Sequence, residues 1–477
     1  MKLNISVVLG ILMCLNATAQ NTGKVWGIEE CVNYALENNI QIKQTALQVE
    51  ANKTSQQSAK WDIAPNFNLN SNYGWNFGLN IDPVTNEISQ ARRQTASLNL
   101  QGNWVVFNGL RKHYNISKSN LDYLAALYDL EDIKNDISLN VAASYLQILL
   151  NKEILAVAKE QERVSQLQVN RTTKLVEAGA SPKGDQLQLE AQLARDHQNV
   201  IASENALTIS KLQLANLLQL ENPDDFEISS PDLDVPEAAL VARDPASIFA
   251  TAMDLQPAIK GAETRVESSE KNEAITKSGA YPTLSVVGQV GTSYSDQILE
   301  PAGTETVNLP QPIYDQNGQV IFIPYSQTVP IGPYEEKKFG NQVGDNLNEY
   351  IGLSLSVPLF NGLNVHSNKQ IAEINTKQSQ LQLEMEKNTL RQTIYQAHAD
   401  AKASYNSYLA AEVTVESSEE SFKYSKERFE VGALNQFDFE NAKNSLAIAK
   451  SEMLRSKYDY IFKTKVLEFY LTNQIKL

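Results

Sequence analysis

The sequence predicts a mixed α+β membrane protein of two structural repeats, with four transmembrane β-strands and long coiled-coil-like helices in each chain. Three observations predict it. The chain contains itself twice: Phe107-Asn108-Gly109-Leu110 returns as Phe360-Asn361-Gly362-Leu363, and Gly179 returns as Gly432, both at a shift of 253 residues. Four short segments alternate apolar and polar residues with the period of a strand. Two stretches, Leu110 to Gly179 and Leu363 to Gly432, hold no proline and no other glycine after their first residue until the closing glycine. Fixed repeat offsets decide architecture before any local pattern does.

The repeat has a finer structure. His113 and His366, and Asp185 and Asp438, share the shift of 253; upstream, Ala35 with Ala252, Lys43 with Lys260 and Pro65 with Pro282 are offset by 217. The difference, 253 − 217 = 36, is an insertion in the second copy between Pro282 and Phe360. The predicted organisation is a signal over 1–19, a first repeat over 20–230 and a second over 231–477.

The opening segment reads as a secretory signal. Lys2 supplies the charged start, Ile5 to Leu15 is mostly apolar, and Ala17-Thr18-Ala19 is a small-residue cleavage site, which starts the mature chain at Gln20. Cleavage removes Cys14 and leaves Cys31, expected as a small buried helix residue; one cysteine builds no disulfide framework. The formal net charge of −15 argues against nucleic acid or anionic lipid as a partner. No apolar run of about 18 residues is read in the mature chain, so any membrane spanning falls to strands.

The first strand is predicted over about 66–81. Phe67, Leu69, Tyr73, Trp75, Phe77, Leu79 and Ile81 fall on one face, and asparagines at 66, 68, 70, 72, 76 and 80 on the other. An apolar outside with an amide-lined inside suits a barrel wall between lipid and water. The second strand, about 95–107, sets Leu98, Leu100, Trp104 and Val106 against Ser97, Asn99, Gln101 and Asn103. The third and fourth, about 282–296 and 349–360, repeat the alternation. The offsets superpose Phe67 on Leu284, Leu69 on Val286 and Val106 on Leu359. Four strands do not close a barrel and an open edge in lipid is forbidden, so the chain must oligomerise. The proline-rich stretch of about 297–348 reads as an external loop insert.

The helices come next. At 1.5 Å per residue each long stretch reaches about 100 Å if continuous. Past Gly432, Phe439, Ala442, Leu446, Ala449, Met453 and Tyr460 keep a heptad-like spacing that Ser456 interrupts. Gly179 and Gly432 mark the turns where each long helix reverses.

Local motifs then carry a resemblance. Cys31-Val32-Asn33-Tyr34-Ala35-Leu36-Glu37-Asn38-Asn39, Val357-Pro358-Leu359-Phe360-Asn361-Gly362 and Arg428-Phe429-Glu430-Val431-Gly432 resemble the opening helix, the strand-to-helix junction and the helix-tip turn of the TolC-type outer-membrane efflux family. The similarity runs over nearly all of the mature chain. The resemblance implies a homotrimer, with a 12-stranded β-barrel in outer-membrane lipid continuous with a 12-helix periplasmic α-barrel. It implies a periplasmic adaptor (membrane fusion) protein and an inner-membrane efflux pump or ABC exporter as partners, and neither cofactor nor catalysis. It makes the chain the exit duct of a tripartite efflux or type I secretion system.

Site residues follow from it one at a time. Asp438, six residues past Gly432, matches the first acidic position of the family's periplasmic gate. Asn441 stands at the second, where it is not acidic, with Glu440 nearby. Phe429 stands where a gate tyrosine is frequent, and Leu434 at the position of a gating arginine. Helix capping is an alternative role for Asp438, and Asp185 at the equivalent place supports it. The turns Ala178-Gly179-Ala180 and Val431-Gly432-Ala433 resemble the family's adaptor-contact tips.

Two other readings stay open: a secreted or periplasmic coiled-coil structural protein, and a freestanding diffusion porin. An enzyme is not read. His113, His197, His366 and His398 have no partners at metal-ligand spacing, and no nucleophile elbow, phosphate loop or redox cysteine pair appears.

Overall fold

The computed structural model describes residues 25–81, 88–90, 92–223, 226–231 and 233–473. The expected signal over 1–19 and the mature start at Gln20 lie outside the described residues. The elements in chain order are β1 (Val25–Trp26), α1 (Ile28–Asn38), α2 (Ile40–Trp61), β2 (Asn66–Asn76), β3 (Leu79–Ile81), β4 (Ile88–Gln90) and β5 (Arg93–Asn108). There follow α3 (Arg111–Glu177), α4 (Lys183–Leu218), β6 (Glu227–Ile228), α5 (Pro245–Leu255), α6 (Pro257–Lys277), β7 (Thr283–Ser295), β8 (Leu299–Tyr314) and β9 (Val320–Glu336). The chain finishes with α7 (Phe339–Asp345), β10 (Asn348–Ser356), α8 (Asn364–Glu430) and α9 (Gln436–Thr472). Two units form: a sheet unit of Gln56–Lys118 and Glu270–Ile374, and a helical unit of the remainder.

In the sheet unit, four strands pair antiparallel in the order β10-β7-β5-β2. The register matches faces. Leu69 stands opposite Leu100 and Leu100 opposite Val290, whereas Asn70 stands opposite Asn99 and Gln101 opposite Gln289. One face is therefore apolar and the other lined with amides and hydroxyls.

The strand limits differ from the expected ones. The first strand stops at Asn76 rather than 81, because Gly78 takes φ +129°. Leu79–Ile81 then pairs with Ile88–Gln90 in a separate hairpin. β5 begins at Arg93, ahead of the expected 95. β10 ends at Ser356 rather than 360: Pro358 has no N–H for a ladder, and Leu359 and Phe360 are exposed outside any strand. A bulge between Val105 and Phe107 places Phe107, not Val106, opposite Leu284. The expected loop insert of 297–348 is instead mostly regular structure, the long β8–β9 hairpin followed by α7. At its base Gln342, fully buried, donates through Nε2 to the Ser295 carbonyl at 2.9 Å and accepts from the Ser295 N–H at 3.0 Å.

In the helical unit, α3 packs its central stretch on α1, α4 and α9. Cys31, Val141, Ile148, Leu149, Leu214, Leu218 and Ile461 share one core, and a second forms from Ile248, Ala252, Ile394, Ala401 and Leu467. Each valine, leucine or isoleucine among them contributes roughly 1.5–3 kcal/mol by leaving water. The expectation of no long apolar run needs correcting, since α3 holds an 18-residue window of mean hydropathy 1.3. Ile137, Val141, Tyr145, Leu146, Ile148 and Leu149 of this helix belong to the first core, so the run has a packing reason.

Candidate functional site

Both long helices end in the same way. In the first hairpin the Gly179 N–H donates to the Val176 carbonyl at 3.0 Å and the Ala180 N–H to the Leu175 carbonyl at 2.7 Å. In the second the Gly432 N–H donates to Phe429 at 3.1 Å and the Ala433 N–H to Arg428 at 2.8 Å. This crossed pair is the Schellman cap, which satisfies carbonyls the helix leaves free. It requires a left-handed residue, and Gly179 and Gly432 have φ of +72° and +78°. All six turn residues, Ala178 to Ala180 and Val431 to Ala433, are exposed, which gives a partner access to both tips.

The gate candidates flank these turns: Phe429 before the second, Asp438 and Asn441 after it, and Asp185 after the first. Asn435 caps α9: its Oδ1 accepts from the Asp438 N–H at 2.9 Å, and its Nδ2 donates to Asp438 Oδ2 at 2.9 Å. Asp438 is exposed in the first turn, where a carboxylate also complements the helix dipole. Asp185 holds the equivalent place in α4 and accepts from the Ser181 hydroxyl at 3.0 Å. Asn441 is exposed and Leu434 half-buried. Phe429 stacks on fully buried Phe439 with centroids 4.6 Å apart, and Phe422 packs on the same ring. The aromatic residue at 429 therefore closes the interior of its own hairpin.

Sequence reasoning missed what lies one turn further in. Lys443, 4% exposed, is ion-paired with Glu440 at 2.9 Å and with Asp196 at 3.4 Å, and donates to the Ser165 hydroxyl. Asp196, 1% exposed, also accepts from Ser165 and from Gln192 Nε2 at 2.9 Å. Gln161 joins the group to Asn444 at 2.8 Å. This network ties α3, α4 and α9 together, with one lysine shared between two carboxylates. A signal existed: Lys443 lies four residues past Phe439, on the same helix face as a core residue.

In the sheet unit the apolar face is bare. Phe67, Leu69, Tyr73, Leu100, Trp104, Ile351 and Leu353 are all exposed, Ile351 to 82%. β2 and β10 end the sheet, and among the described residues no strand covers the outer edge of either. A bare apolar face and two unpaired edges are unsatisfactory in water. His113 and His366 stand just past the strand-to-helix junctions, where Leu110 and Leu363 take the left-handed φ of 65° and 63°. Among the described residues no group of three or more His, Cys, Asp or Glu is placed to hold a metal ion.

The comparisons with known proteins agree with this geometry. The family model for outer membrane efflux proteins matches residues 31–219 and 339–471. The chain is 22% identical to the outer membrane protein TolC of Escherichia coli (strain K12) over 334 residues, 68% of this chain and 58% of TolC. The match thus spans a little over half of that relative. Among solved structures it resembles CusC, with a TM-score of 0.73 at 16% identity over 93% of this chain and 91% of that one. It also resembles VceC of Vibrio cholerae, with a TM-score of 0.71 at 14% identity over 94% of this chain and 95% of that one. The fold is that of these outer-membrane channels. With both long helices and their tips inside the matched residues, the chain belongs to the outer membrane efflux protein family.

Proposed function

We propose that the protein is an outer-membrane exit duct, passing substrates delivered by a periplasmic adaptor and an inner-membrane pump or exporter to the exterior. One observation carries the reading: a four-stranded sheet with one bare apolar face, one amide-lined face and two free edges. Lipid suits the first face and a water-filled lumen the second. Three copies, joined β2 to β10, make twelve strands, and the paired long helices of three copies make a twelve-helix tube. The exposed turns around Gly179 and Gly432 are the adaptor contacts. Asp438, repeated three times around the axis, is the gate's ring of negative charge. Its cap bonds leave the carboxylate exposed, so capping and gating are compatible. Phe429, engaged with Phe439, supports the gate from within its hairpin, and Asn441 and Asp185 stand beside the ring as neutral and acidic neighbours.

The test is single-channel conductance of the purified mature protein in a planar bilayer, beside Asp438→Ala. Long-lived cation-selective openings that become wider or less cation-selective in the variant support both duct and gate. Channels indifferent to the substitution keep the duct and remove Asp438 as gate. Wide channels that never close and bind no adaptor favour a porin; a folded preparation that forms none favours a secreted scaffold.

A further inference from the structure

Inside the helical unit, α3, α6, α8 and α9 enclose a cavity of about 140 Å³ that the duct reading does not use. Its walls carry Asp132 and Asp136, one helical turn apart on α3, Glu386 from α8 and Tyr470 from α9. Arg265 of α6, the cation that acts on Asp132, is itself ion-paired with Asp129. The negative charge is therefore left largely uncompensated in a half-buried place, which is costly. Burial, joined by the carboxylates of Asp136, Asp129 and Glu386, lifts the Asp132 carboxyl to about 6; burial also raises Asp136. Burial raises the Tyr470 phenol as well, helped by Asp136 and Asp132, so it stays a neutral hydroxyl.

An independent feature points to a ligand. Gln256 lines the same cavity, is 6% exposed, and its Nε2 is a buried donor with no hydrogen-bond partner. Such a donor is destabilising unless something accepts from it. The occupant must satisfy both needs, with a positive centre for the carboxylates and an oxygen acceptor for the amide. A bare metal ion offers no acceptor, and no three carboxylates here are placed to ligate one. A plain alkylamine answers only the charge. An anionic group is repelled.

We propose that this cavity binds a small protonated amino alcohol, its ammonium held by the Asp132 and Asp136 carboxylates and its oxygen accepting from Gln256 Nε2. The site is separate from the conduit and its gate, and does not depend on the duct reading. Proton and ammonium compete for the same carboxylates, so affinity falls as the pH drops through the Asp132 range. With a carboxyl near 6, moving from pH 7.5 to pH 5 weakens binding about tenfold.

The experiment is calorimetric titration of the full chain in detergent with ethanolamine, ethylamine and phosphoethanolamine. Expected are saturable ethanolamine binding roughly tenfold tighter than ethylamine, a further tenfold loss at pH 5, and no competition from phosphoethanolamine. Asp132→Asn weakens both amines at least about tenfold, whereas Gln256→Ala removes only the preference between them. Equal affinity for the two amines, affinity independent of pH, or phosphoethanolamine binding as well as ethanolamine overturns the proposal. So does no binding of either amine up to 50 mM, in which case the cavity takes up a proton only. The pH and amine comparisons use the unaltered chain, so they decide the matter even if a variant fails to assemble.

Discussion

The two hairpin tips share a backbone and differ in their filling. Both turn through the same pair of crossed hydrogen bonds on a left-handed glycine. Inside the second, Phe429 stacks on Phe439 and Phe422 packs tilted against the same ring, and Lys443 ties α9 to α3 and α4. At the positions 253 residues earlier the first has Val176, Gln186, Val169 and Glu190. There Gln186 accepts from Lys183 and donates to Glu190, both at 2.8 Å, and Glu190 is exposed. Turn geometry is thus held by one residue type and backbone bonding, while the interior was free to diverge. At its tip the second hairpin is stiffened by aromatic packing and the first is laced by short bonds along α4, while the buried Asp196 and Ser165 of the first join it to Lys443 of the second.

Three substitution pairs break or sharpen that contrast. Lys443→Ala leaves Asp196 buried without its cation and is expected to cost about 3–5 kcal/mol in denaturant unfolding. Glu190→Ala, its counterpart, stays within about 0.5 kcal/mol. Phe439→Ala opens a cavity under Phe429 and costs about 3 kcal/mol, against about 1 kcal/mol for Gln186→Ala; circular dichroism melts read both. Gly179→Ala and Gly432→Ala each cost about 1–2 kcal/mol through the backbone alone, because an added Cβ meets nothing within 4 Å at either turn. Unequal costs for this last pair would show that the two turns are not equivalent.

How much was legible in the sequence follows the same division. Glycines and the absence of prolines mark helix limits directly: the long helices run Arg111–Glu177 and Asn364–Glu430, 67 residues each. The strand faces were legible from alternation, because a period of two survives burial on either side. The β8–β9 hairpin was not, since Pro301, Pro310, Pro312, Pro324 and Pro330 argue against a strand. In a two-stranded ribbon each strand has a free side, and a proline missing its N–H there loses no ladder bond; Pro310 stands opposite Pro324. The network around Lys443 was hidden for another reason. Its partners Ser165 and Asp196 are 278 and 247 residues away in sequence, and no local pattern reports a pairing at that distance.

The unfinished edges of the sheet also bear on the life of a newly made chain. A polypeptide with strand edges open on both sides and an oily wall has no comfortable solvent, whether aqueous or lipid. In the proposed assembly, a chain that has not yet met its copies is cargo for holding chaperones and prey for proteases. On that proposal, yield in an expressing cell is set by how fast chains find one another rather than by how fast each one folds. Doubling synthesis without doubling that encounter rate fills the quality-control machinery before it fills the membrane.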